Sequence, residues 1–327
     1  MSCVDPLVRI EDVEKIFFVG AEKFSLFQKK QLRAVDGVTF EVLLGEVLAI
    51  VGESGCGKTT LGLLLSRLEK PSSGQIVFRG INVSQLVGSR LKKFRRKVQI
   101  IFQDPYDSLD PRQGVLQTVI EPLKSHKIGS RKEQLQSVHD ILGHVELDPP
   151  EMFVNKYPHE LSGGQRQRVA IARSLILHPE LLIADEPVSM LDASVRADIM
   201  NLMLKLKKEI GITIVFITHD LSAARYISDR ILVMYAGKVV EIGPAEELIV
   251  KPVHPYTKLL LSAVSVPDPR VKRHRVRQSG NVPDPTDFPL GCRFHPRCSM
   301  AKDFCSKEDP SLQEVYPGHY AACHIKS

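Results

Sequence analysis

Gly52-Glu53-Ser54-Gly55-Cys56-Gly57-Lys58-Thr59 fits the phosphate-loop pattern G-x-x-x-x-G-K-[ST] at every fixed position. It follows the apolar run 47–51, which predicts a buried strand, and it opens onto the leucine-rich run 60–65, which predicts a helix. In that setting the glycines let successive backbone N–H groups form an anion-binding nest, and the helix N-terminus adds partial positive charge. Lys58 is predicted to neutralise β- and γ-phosphates, and the Thr59 hydroxyl to bind Mg²⁺.

The composition is that of a globular protein with a large core. The 327 residues suggest about two domains on the usual length prior. The hydrophobic content of 43% and the charged content of 25% are ordinary for a soluble chain. No apolar run approaches the ~18–20 residues that a membrane helix needs, and the acidic N-terminal stretch does not resemble a secretory signal. We therefore expect a cytoplasmic protein that reaches a membrane only through a partner.

The net charge of +6 is concentrated in two basic runs, 90–97 and 270–277. Such runs most often form solvated faces. The alternative is that they bind a negatively charged membrane surface or a nucleic acid. The chain has no zinc-finger spacing and no basic strand interleaved with aromatic residues, so nucleic acid is the weaker interpretation and is not expected as a partner.

The N-terminal region predicts a small antiparallel sheet beside the nucleotide. Short strands are expected over 7–10, 34–40 and 41–51, with turns at Asp36-Gly37 and Leu44-Gly45. Phe17 and Phe18 lie near the start of this sheet, where an aromatic ring could stack on adenine. From the residues alone, adenine stacking and burial in the core fit these side chains equally well.

A helical insertion is predicted in the middle of the chain. Strands over 75–78 and 98–102 flank a basic helical stretch at 84–96, and the second strand leads into Gln103. From about 112 to 160 the apolar residues follow helical spacing. The insertion ends in Leu161-Ser162-Gly163-Gly164-Gln165, at the start of a long helix. This Ser-Gly-Gly start is a second anion-binding terminus, which suggests that it serves a neighbouring chain's nucleotide.

Three polar residues follow buried strands in an alternating β/α series. Asp185 and Glu186 end the apolar run 181–184, and His219 follows the run 212–217. Ligands of open α/β sheets bind at the carboxyl ends of strands. Asp185 is placed to hold Mg²⁺ through its water shell, and Glu186 to orient or deprotonate a water. The lone histidine could be structural, but its position favours a functional role. A hairpin over 231–242 is predicted to close the domain.

The phosphate loop, Gln103, Leu161–Gln165, Asp185-Glu186 and His219, in this order, resemble the ATP-binding subunit of an ABC transporter over roughly residues 5–250. The resemblance implies an α/β fold, a P-loop NTPase domain of the ABC type, with an antiparallel β subdomain and an inserted helical subdomain. It implies that two subunits clamp two ATP molecules head to tail, so that Lys58 and Thr59 of one face Ser162, Gly163 and Gly164 of the other.

The same resemblance implies the site residues. Glu186, His219, Lys58 and Gln103 are the expected catalytic residues, with His219 touching the γ-phosphate and Gln103 coupling to the membrane subunits. Mg²⁺ is expected at Thr59, Gln103 and Asp185. The residues expected to bind ATP are Phe17, Gly52, Ser54, Gly55, Cys56, Gly57, Lys58, Thr59, Thr60, Gln103, Asp185, Ser162, Gly163, Gly164, Gln165 and Asp192. Family members often have Ser or Ala where Met190 stands, and Cys56 fills a variable position; neither departure touches a catalytic role.

A tighter match comes from the stretches 102–111, 157–168 and His254-Pro255-Tyr256-Thr257. These look like the ATPases of oligopeptide and dipeptide importers, a group that also includes nickel and some oligosaccharide importers. The resemblance implies a second ATPase subunit, two transmembrane permease subunits and, indirectly, an extracellular binding protein. Pro105-Tyr106 looks more like the second, F-type subunit of an ATPase pair. A heterodimer and a homodimer both remain open, and the expected location is the cytoplasmic face of the membrane.

The last part of the chain carries Cys292, Cys298, Cys305 and Cys323, and after about residue 251 it stops looking like α/β. In a cytosolic protein, clustered cysteines favour metal ligands over disulfides. The spacing lacks any C-x-x-C, so the residues alone place zinc ahead of an iron–sulfur cluster. The resemblance reverses that order, because some peptide-importer ATPases bind a [4Fe–4S] cluster with such a set. Arg293, His295 and Arg297 could offset the cluster's charge or simply be exposed.

The sequence thus predicts an ABC nucleotide-binding domain over 1–250, with the helical insertion at about 104–165, and a cysteine-containing extension over 251–327. The leading hypothesis is an ATPase that drives import of peptides or related solutes. A soluble ABC ATPase acting on ribosomes or nucleic acid is the alternative, although such chains usually carry two ATPase halves or a coiled-coil insertion. A phosphate-loop kinase is disfavoured by Leu161–Gln165.

Overall fold

The computed structural model describes residues 6–19, 30–104, 108–263 and 283–325. These residues form two compact units. The first contains the described residues up to Leu43, then Val47–Ser84 and the described residues from Thr218 onward; the second contains Leu44–Glu46 and the described part of Gln85–Ile217. The boundaries predicted for functional domains, at 250 and at about 104–165, stay predictions. Within the described ranges, no helix is both long enough and apolar enough to cross a membrane.

The described strands are β1 (Pro6–Val19), β2 (Lys30–Leu43), β3 (Val47–Val51), β4 (Ser73–Phe78), β5 (Ile81–Asn82), β6 (Val98–Ile101), β7 (Leu181–Asp185), β8 (Thr213–Thr218), β9 (Arg230–Tyr235), β10 (Lys238–Pro244), β11 (Gln313–Tyr316) and β12 (His319–Ala321). The described α-helices are α1 (Lys58–Leu65), α2 (Gly88–Lys97), α3 (Val115–Ser125), α4 (Arg131–His144), α5 (Gly163–Leu175), α6 (Ala193–Ile210), α7 (Leu221–Ile227), α8 (Ala245–Val250) and α9 (Pro255–Ala263).

The first unit contains the predicted antiparallel sheet, in the order β2-β1-β4-β5. The prediction of short strands was wrong, because β1 and β2 each run for 14 residues. The predicted turn at Asp36-Gly37 lies inside β2, where Gly37 has a φ of +65° and the pairing shifts register between Val13↔Val38 and Lys15↔Val35. A bulge of this kind inserts a residue and lets the strand continue. The Asp36 N–H donates to the Gly237 carbonyl at 3.0 Å, which anchors the bulge.

A second set of strands in the first unit carries the phosphate loop. β3 pairs in parallel with β9, and β9 and β10 form the predicted hairpin through Ala236-Gly237. β12 then pairs antiparallel with β10, and β11 with β12. The expectation that the chain leaves the α/β pattern after about residue 251 was therefore wrong. The cysteine-containing extension adds two strands and the helix α9 to the same unit.

The core of this unit joins the extension to the strands next to the phosphate loop. Apolar side chains of β3, β9 and β10 pack with those of α7, α8 and α9. Phe294, from the extension, is buried in the same cluster, and its ring meets Tyr235 edge-on at 5.2 Å and Tyr256 at 5.4 Å. Cys292 and Cys298 pack against the cluster from its rim. Burial of these large aromatic side chains is the main force that holds the extension in place.

The second unit is built on the parallel strands β6, β7 and β8, with β7 in the middle. Their apolar residues are nearly all buried, as expected for parallel strands covered on both faces. The helical pattern predicted over about 112–160 is confirmed by α3 and α4, which begin at Val115 and Arg131. On α3 the buried residues include Val115, Val119, Ile120 and Leu123, the helical stripe that the sequence indicated. The long helix predicted after Ser162 is α5.

Candidate functional site

The phosphate loop connects β3 to α1, as the sequence predicted. Its glycines are required by the backbone, because Gly57 has a φ of +104° and a Cβ there would lie 2.1 Å from the Ala34 carbonyl oxygen. A Cβ on Gly52 would lie 2.3 Å from the Met234 carbonyl oxygen. Only a residue without a side chain tolerates such approaches of backbone to backbone. The neighbouring strands therefore determine the path of the loop.

Lys58 is the first residue of α1, and its amine folds back over the loop. Nζ donates to the Gly52 carbonyl at 2.7 Å and to the Glu53 carbonyl at 3.0 Å, and it lies 3.9 Å from Cys56 Sγ. Burial raises the pKa of the Cys56 thiol, so this cysteine is held neutral inside the loop. Ser54, Gly55 and Thr59 are exposed and Thr60 is half-buried. The loop thus presents hydroxyls and a cation on one helix N-terminus, which suits a phosphate.

Glu53, a variable position of the motif, is held from three sides. Its carboxylate accepts two hydrogen bonds from the Arg297 guanidinium, at 2.7 and 2.9 Å. Its N–H donates to the Tyr256 hydroxyl at 2.8 Å, and its carbonyl accepts from Lys58. Arg297 was expected either to balance a metal cluster or to be exposed; it is buried and paired with the phosphate loop. Arg293 likewise pairs with Asp36 of β2.

In the second unit, Gln103, Asp185 and Glu186 lie at the carboxyl ends of β6 and β7. These strands are parallel neighbours with Ile101 opposite Ala184, so the residues that follow them emerge at one edge. Gln103 Nε2 donates to Glu186 Oε2 at 3.3 Å. The sequence predicted a role for each residue but not this contact, which joins positions 83 residues apart.

The backbone at Glu186 is unusual. Its φ of +47° lies in the left-handed region, which a residue with a side chain adopts only when its surroundings enforce it. Its N–H donates to the Ile217 carbonyl of β8 at 2.9 Å, and its carbonyl accepts from the Ser189 hydroxyl at 3.0 Å. Asp185, one residue earlier, is 3% exposed. These bonds fix the backbone of Glu186, whose side chain is half-buried, while Asp185 is buried.

This edge offers the oxygen ligands that Mg²⁺ prefers. The Asp185 carboxylate and the Gln103 amide oxygen belong to the hard-donor class, and a second carboxylate, Glu186, lies in hydrogen-bond contact with Gln103. The residue types therefore fit the ion that the fold implies. The arrangement can chemically support a metal-bound phosphate and a carboxylate that takes a proton from water.

The Leu161–Gln165 turn begins α5 with a capping box. The Ser162 hydroxyl accepts from the Gln165 N–H at 3.3 Å, and the Gln165 side-chain oxygen accepts from the Ser162 N–H at 3.0 Å. A Cβ on Gly164 would lie 2.6 Å from Val195 Cγ1 of α6, while one on Gly163 would meet Leu191 Cδ2 at 3.4 Å. The turn is thus ordered by its own polar side chains and by packing on α6.

Asp192 ends the exposed loop that contains Met190 and caps α6. Its carboxylate accepts from the Val195 N–H at 3.0 Å and from the Ser194 hydroxyl at 2.7 Å. The bond from the Val195 N–H, followed by the one from Ser194, lowers the pKa of Asp192. The carboxylate is therefore held ionised at the helix start.

The remaining predicted residues lie on the first unit. His219 is exposed and directly follows β8, next to Asp220, which caps α7. Phe17, in β1, is half-buried, and the Lys15 ammonium lies 4.8 Å above the centre of its ring. Phe18 is 64% exposed. Pro105-Tyr106, on which the F-type assignment depends, lies outside the described residues.

The four cysteines of the extension are all within the described residues. The Cys292 N–H donates to the Cys305 carbonyl at 2.8 Å. Burial raises the pKa of Cys292 to about 11, with a further contribution from the other three thiols, and burial also raises the pKa of Cys298 and Cys323. Among the described residues, no three His, Cys, Asp or Glu side chains converge as a metal site. The thiols are near neighbours, but the predicted iron–sulfur or zinc site is not supported.

Sequence reasoning missed Glu53, Tyr256 and Arg297 as parts of the site. Glu53 fills an unspecified position of the motif, and Tyr256 entered only through the family resemblance. Arg297 was considered only in relation to the cysteines. Tyr256 and Arg297 lie in a basic, proline-rich extension. Nothing in the local sequence indicates that Arg297 pairs with a residue 244 positions away.

Two regions of the chain match known protein families. The ABC transporter family matches residues 35–189, and the C-terminal region of oligopeptide/dipeptide transporters matches residues 240–305. The chain is 46% identical over 328 residues to the oligopeptide transport ATP-binding protein AppF of Bacillus subtilis, which covers 99% of this chain and 98% of that protein. It is 45% identical to the probable peptide ABC transporter ATP-binding protein y4tS of Sinorhizobium fredii, covering 99% and 91%.

Among solved structures, the chain resembles the ATP-binding cassette MJ0796 in a dimeric, post-hydrolysis state bound to ADP and Pi. The TM-score is 0.64 and the identity 34%, with 73% of this chain and 98% of that chain covered. The fold predicted from the sequence, an ABC-type P-loop nucleotide-binding domain, is thereby confirmed.

Proposed function

This chain belongs to the ATP-binding subunits of ABC transporters, in the oligopeptide and dipeptide group, and on that premise we propose that it drives peptide import through separate membrane subunits. The observation that carries the proposal is the similarity, over 99% of the chain, to a protein named for oligopeptide transport. The chain is an ABC-type ATPase, whose hydrolysis of ATP is coupled to transport.

Each chemical task of ATP hydrolysis is assigned to a residue with suitable surroundings. The loop glycines and Lys58 bind the phosphates, with Ser54, Cys56 and Thr60 as neighbouring contacts. Mg²⁺ would be held by Thr59, Asp185 and Gln103 and would supply positive charge to the β- and γ-phosphates. Glu186 takes the proton of the attacking water, with Gln103 holding its carboxylate in place. His219 contacts the γ-phosphate, and Phe17 stacks on adenine.

Two ATP-binding subunits are proposed to assemble head to tail. The start of α5, formed by Ser162, Gly163, Gly164 and Gln165, then faces the nucleotide of the neighbouring subunit, and Asp192 lies across the dimer contact. Support comes from a helix N-terminus that is already capped and can receive negative charge. The second subunit is proposed to be a related ATPase, with this chain as the F-type member. The pair is proposed to sit peripherally on two permeases, at the cytoplasmic face of the membrane.

The chemistry is tested by Glu186→Gln. The amide keeps the side chain's shape and its contact with Gln103 but cannot accept the water's proton. We expect ATP binding within about twofold of wild type and a fall in turnover of about 10²–10⁴-fold. Nucleotide titration and phosphate release by the assembled transporter measure the two quantities. Hydrolysis at the wild-type rate would show that Glu186 is not the base.

The transport role is tested by a tagged pull-down of the full chain from detergent-solubilised native membranes. We expect two polytopic subunits and a second ATPase of related sequence, identified by mass. Two copies of this chain without a second ATPase would overturn the heterodimer alone. Ribosomal or DNA-associated partners with no membrane subunit would contradict the transport role and leave the ATPase chemistry in place.

For the cysteines, a [4Fe–4S] cluster, with zinc as the alternative, stays a proposal. Its support is the set of residue types and the bond from the Cys292 N–H to the Cys305 carbonyl, which brings two of the four cysteines together. The test is elemental analysis and visible absorption of the chain purified without oxygen, with Cys298→Ser as the comparison. Iron and acid-labile sulfide in the wild type, lost in the variant, is the expected result. A colourless protein with neither iron nor zinc would remove the proposal.

A further inference from the structure

The extension holds the phosphate loop through one buried arginine. The Arg297 guanidinium makes two parallel bonds to the Glu53 carboxylate, the fork geometry in which this ion pair is strongest. The side chain of Arg297 is 5% exposed and that of Glu53 is 26% exposed. The rings of Tyr235 and Phe294 lie 5.7 and 5.8 Å from the guanidinium carbon, so aromatic faces shield the pair from water.

The same loop residue contacts the phosphate-binding lysine. The Glu53 carbonyl accepts from Lys58 Nζ at 3.0 Å, so displacement of Glu53 changes the position of an acceptor that holds the amine. The side chain of Glu53 is therefore attached to the extension and its backbone to Lys58. Loss of the bonds from Arg297 therefore removes one restraint on a residue whose two peptide groups are bonded to Lys58 and Tyr256.

A second connection reaches Glu53 from the extension. The Tyr256 hydroxyl accepts from the Glu53 N–H, and the Tyr256 N–H donates to His254 Nδ1 at 3.1 Å. The His254 N–H donates to the Glu241 carboxylate at 2.9 Å, whose other oxygen lies 2.7 Å from His319 Nε2 in β12. Tyr256, Glu241 and His319 are fully buried. Buried networks of this kind hold their members in one arrangement.

We propose that Arg297 is a positioning residue for ATP: by clamping Glu53, the C-terminal extension keeps the phosphate loop in its binding conformation and so sets the affinity for nucleotide. The inference rests on the proposed role of Lys58 and its loop in binding phosphate. It adds a function for the extension that does not depend on any metal. Arg297 touches neither substrate nor the reacting atoms, and it acts through Glu53.

The experiment is a titration of the purified full chain with MgATP, for wild type, Arg297→Gln, Arg297→Lys and Glu53→Gln. We expect Arg297→Gln and Glu53→Gln each to weaken ATP binding by about tenfold, and the double variant to be no weaker than either single one, because both remove the same bonds. Arg297→Lys keeps the charge but not the fork, so it should recover part of the affinity. In the assembled transporter, KM for ATP should rise with little change in kcat.

Arg293→Gln is the matched control. Arg293 comes from the same extension and is comparably buried, but it pairs with Asp36 and the Ala236 carbonyl, and its connection to the phosphate loop is indirect, through the Gly237 N–H that donates to the Cys56 carbonyl. We expect its thermal midpoint to fall as in Arg297→Gln, with ATP affinity within about twofold of wild type. If Arg297→Gln does not fold, Glu53→Gln and Arg297→Lys carry the test.

The outcomes separate this inference from the proposed function. If wild type binds ATP and Glu53→Gln and Arg297→Lys bind it equally well, the extension is a structural anchor only and the inference is wrong. If Arg293→Gln weakens binding as much as Arg297→Gln, the effect comes from general loosening and the inference is also wrong. Failure of the wild type to bind ATP would instead refute the assigned function of the loop.

Discussion

The phosphate loop and the Leu161–Gln165 turn both place glycines at the start of a helix, but they need glycine for different reasons. In the phosphate loop Gly57 has a left-handed backbone, and its missing Cβ leaves room for a backbone carbonyl. In the turn Gly164 lies within α5, and its missing Cβ leaves room for a side chain of α6. One region needs glycine for conformation, and the other needs it for packing between helices.

The two regions also differ in what orders them. The phosphate loop is held from outside, because the Gly237 N–H donates to the Cys56 carbonyl and Arg297 and Tyr256 of the extension bond to Glu53. The Leu161–Gln165 turn is held mainly by a capping box between Ser162 and Gln165. At this turn Ser162 is exposed, and the first residues of α5 are half-buried. The difference teaches that glycines at the start of a helix can be required either by the backbone conformation or by packing on a neighbouring helix.

The largest effect is expected for Gly57→Ala. The new Cβ would lie 2.1 Å from the Ala34 carbonyl oxygen, and residue 57 would be strained in its left-handed conformation. The backbone of the loop or of β2 therefore has to move. We expect the free energy of unfolding to fall by about 3 kcal/mol or more, and ATP binding to be lost. Urea unfolding and nucleotide titration measure the two effects.

The control for Gly57→Ala is Gly55→Ala, where φ is +79° but no atom lies within 4 Å of the new Cβ. This variant should lose only about 1 kcal/mol, from the left-handed backbone. Equal destabilisation of the two variants would mean that the close approach to Ala34 is not the reason why position 57 requires glycine.

Gly164→Ala is expected to have an intermediate effect. Its Cβ would lie 2.6 Å from Val195 Cγ1, and relief requires a shift between α5 and α6 that costs about 1–3 kcal/mol. Val195→Ala removes the obstructing methyl groups, so the double variant should regain most of the lost stability. If the double variant is no more stable than Gly164→Ala, the packing explanation is wrong and a conformational one is required.

The smallest effect on stability is expected for Ser162→Ala. Loss of the cap leaves the Gln165 N–H without its acceptor and should cost about 1 kcal/mol. Ser130, which caps α4 with Glu133, supplies the matched control at a helix start outside the predicted site. Both variants should lose similar stability, but only Ser162→Ala should lower ATP hydrolysis by the assembled transporter. Equal activities would argue that the Ser162 hydroxyl has no role beyond capping.

Much of the fold could be read from local patterns. The phosphate loop between β3 and α1, the helices α3 to α5 and the β9–β10 hairpin were predicted because apolar spacing, turn residues and caps are local signals. The bulge at Asp36-Gly37 was mistaken for a turn, because Asp-Gly is typical of both turns and bulges. The bond from the Asp36 N–H to the Gly237 carbonyl, which anchors the bulge, cannot be seen in the local sequence. The strands β11 and β12 were missed because their pairing depends on the distant strand β10.

The sequence by itself determined the fold class and the order of the motifs along the chain, since these depend on motifs with fixed spacing. Only the tertiary structure decided which residues meet: Gln103 with Glu186, Gly164 with Val195, and Arg297 with Glu53. The physical reason is that such contacts join residues far apart in the chain, at distances set by how strands and helices pack. Local preference carries no information about that packing.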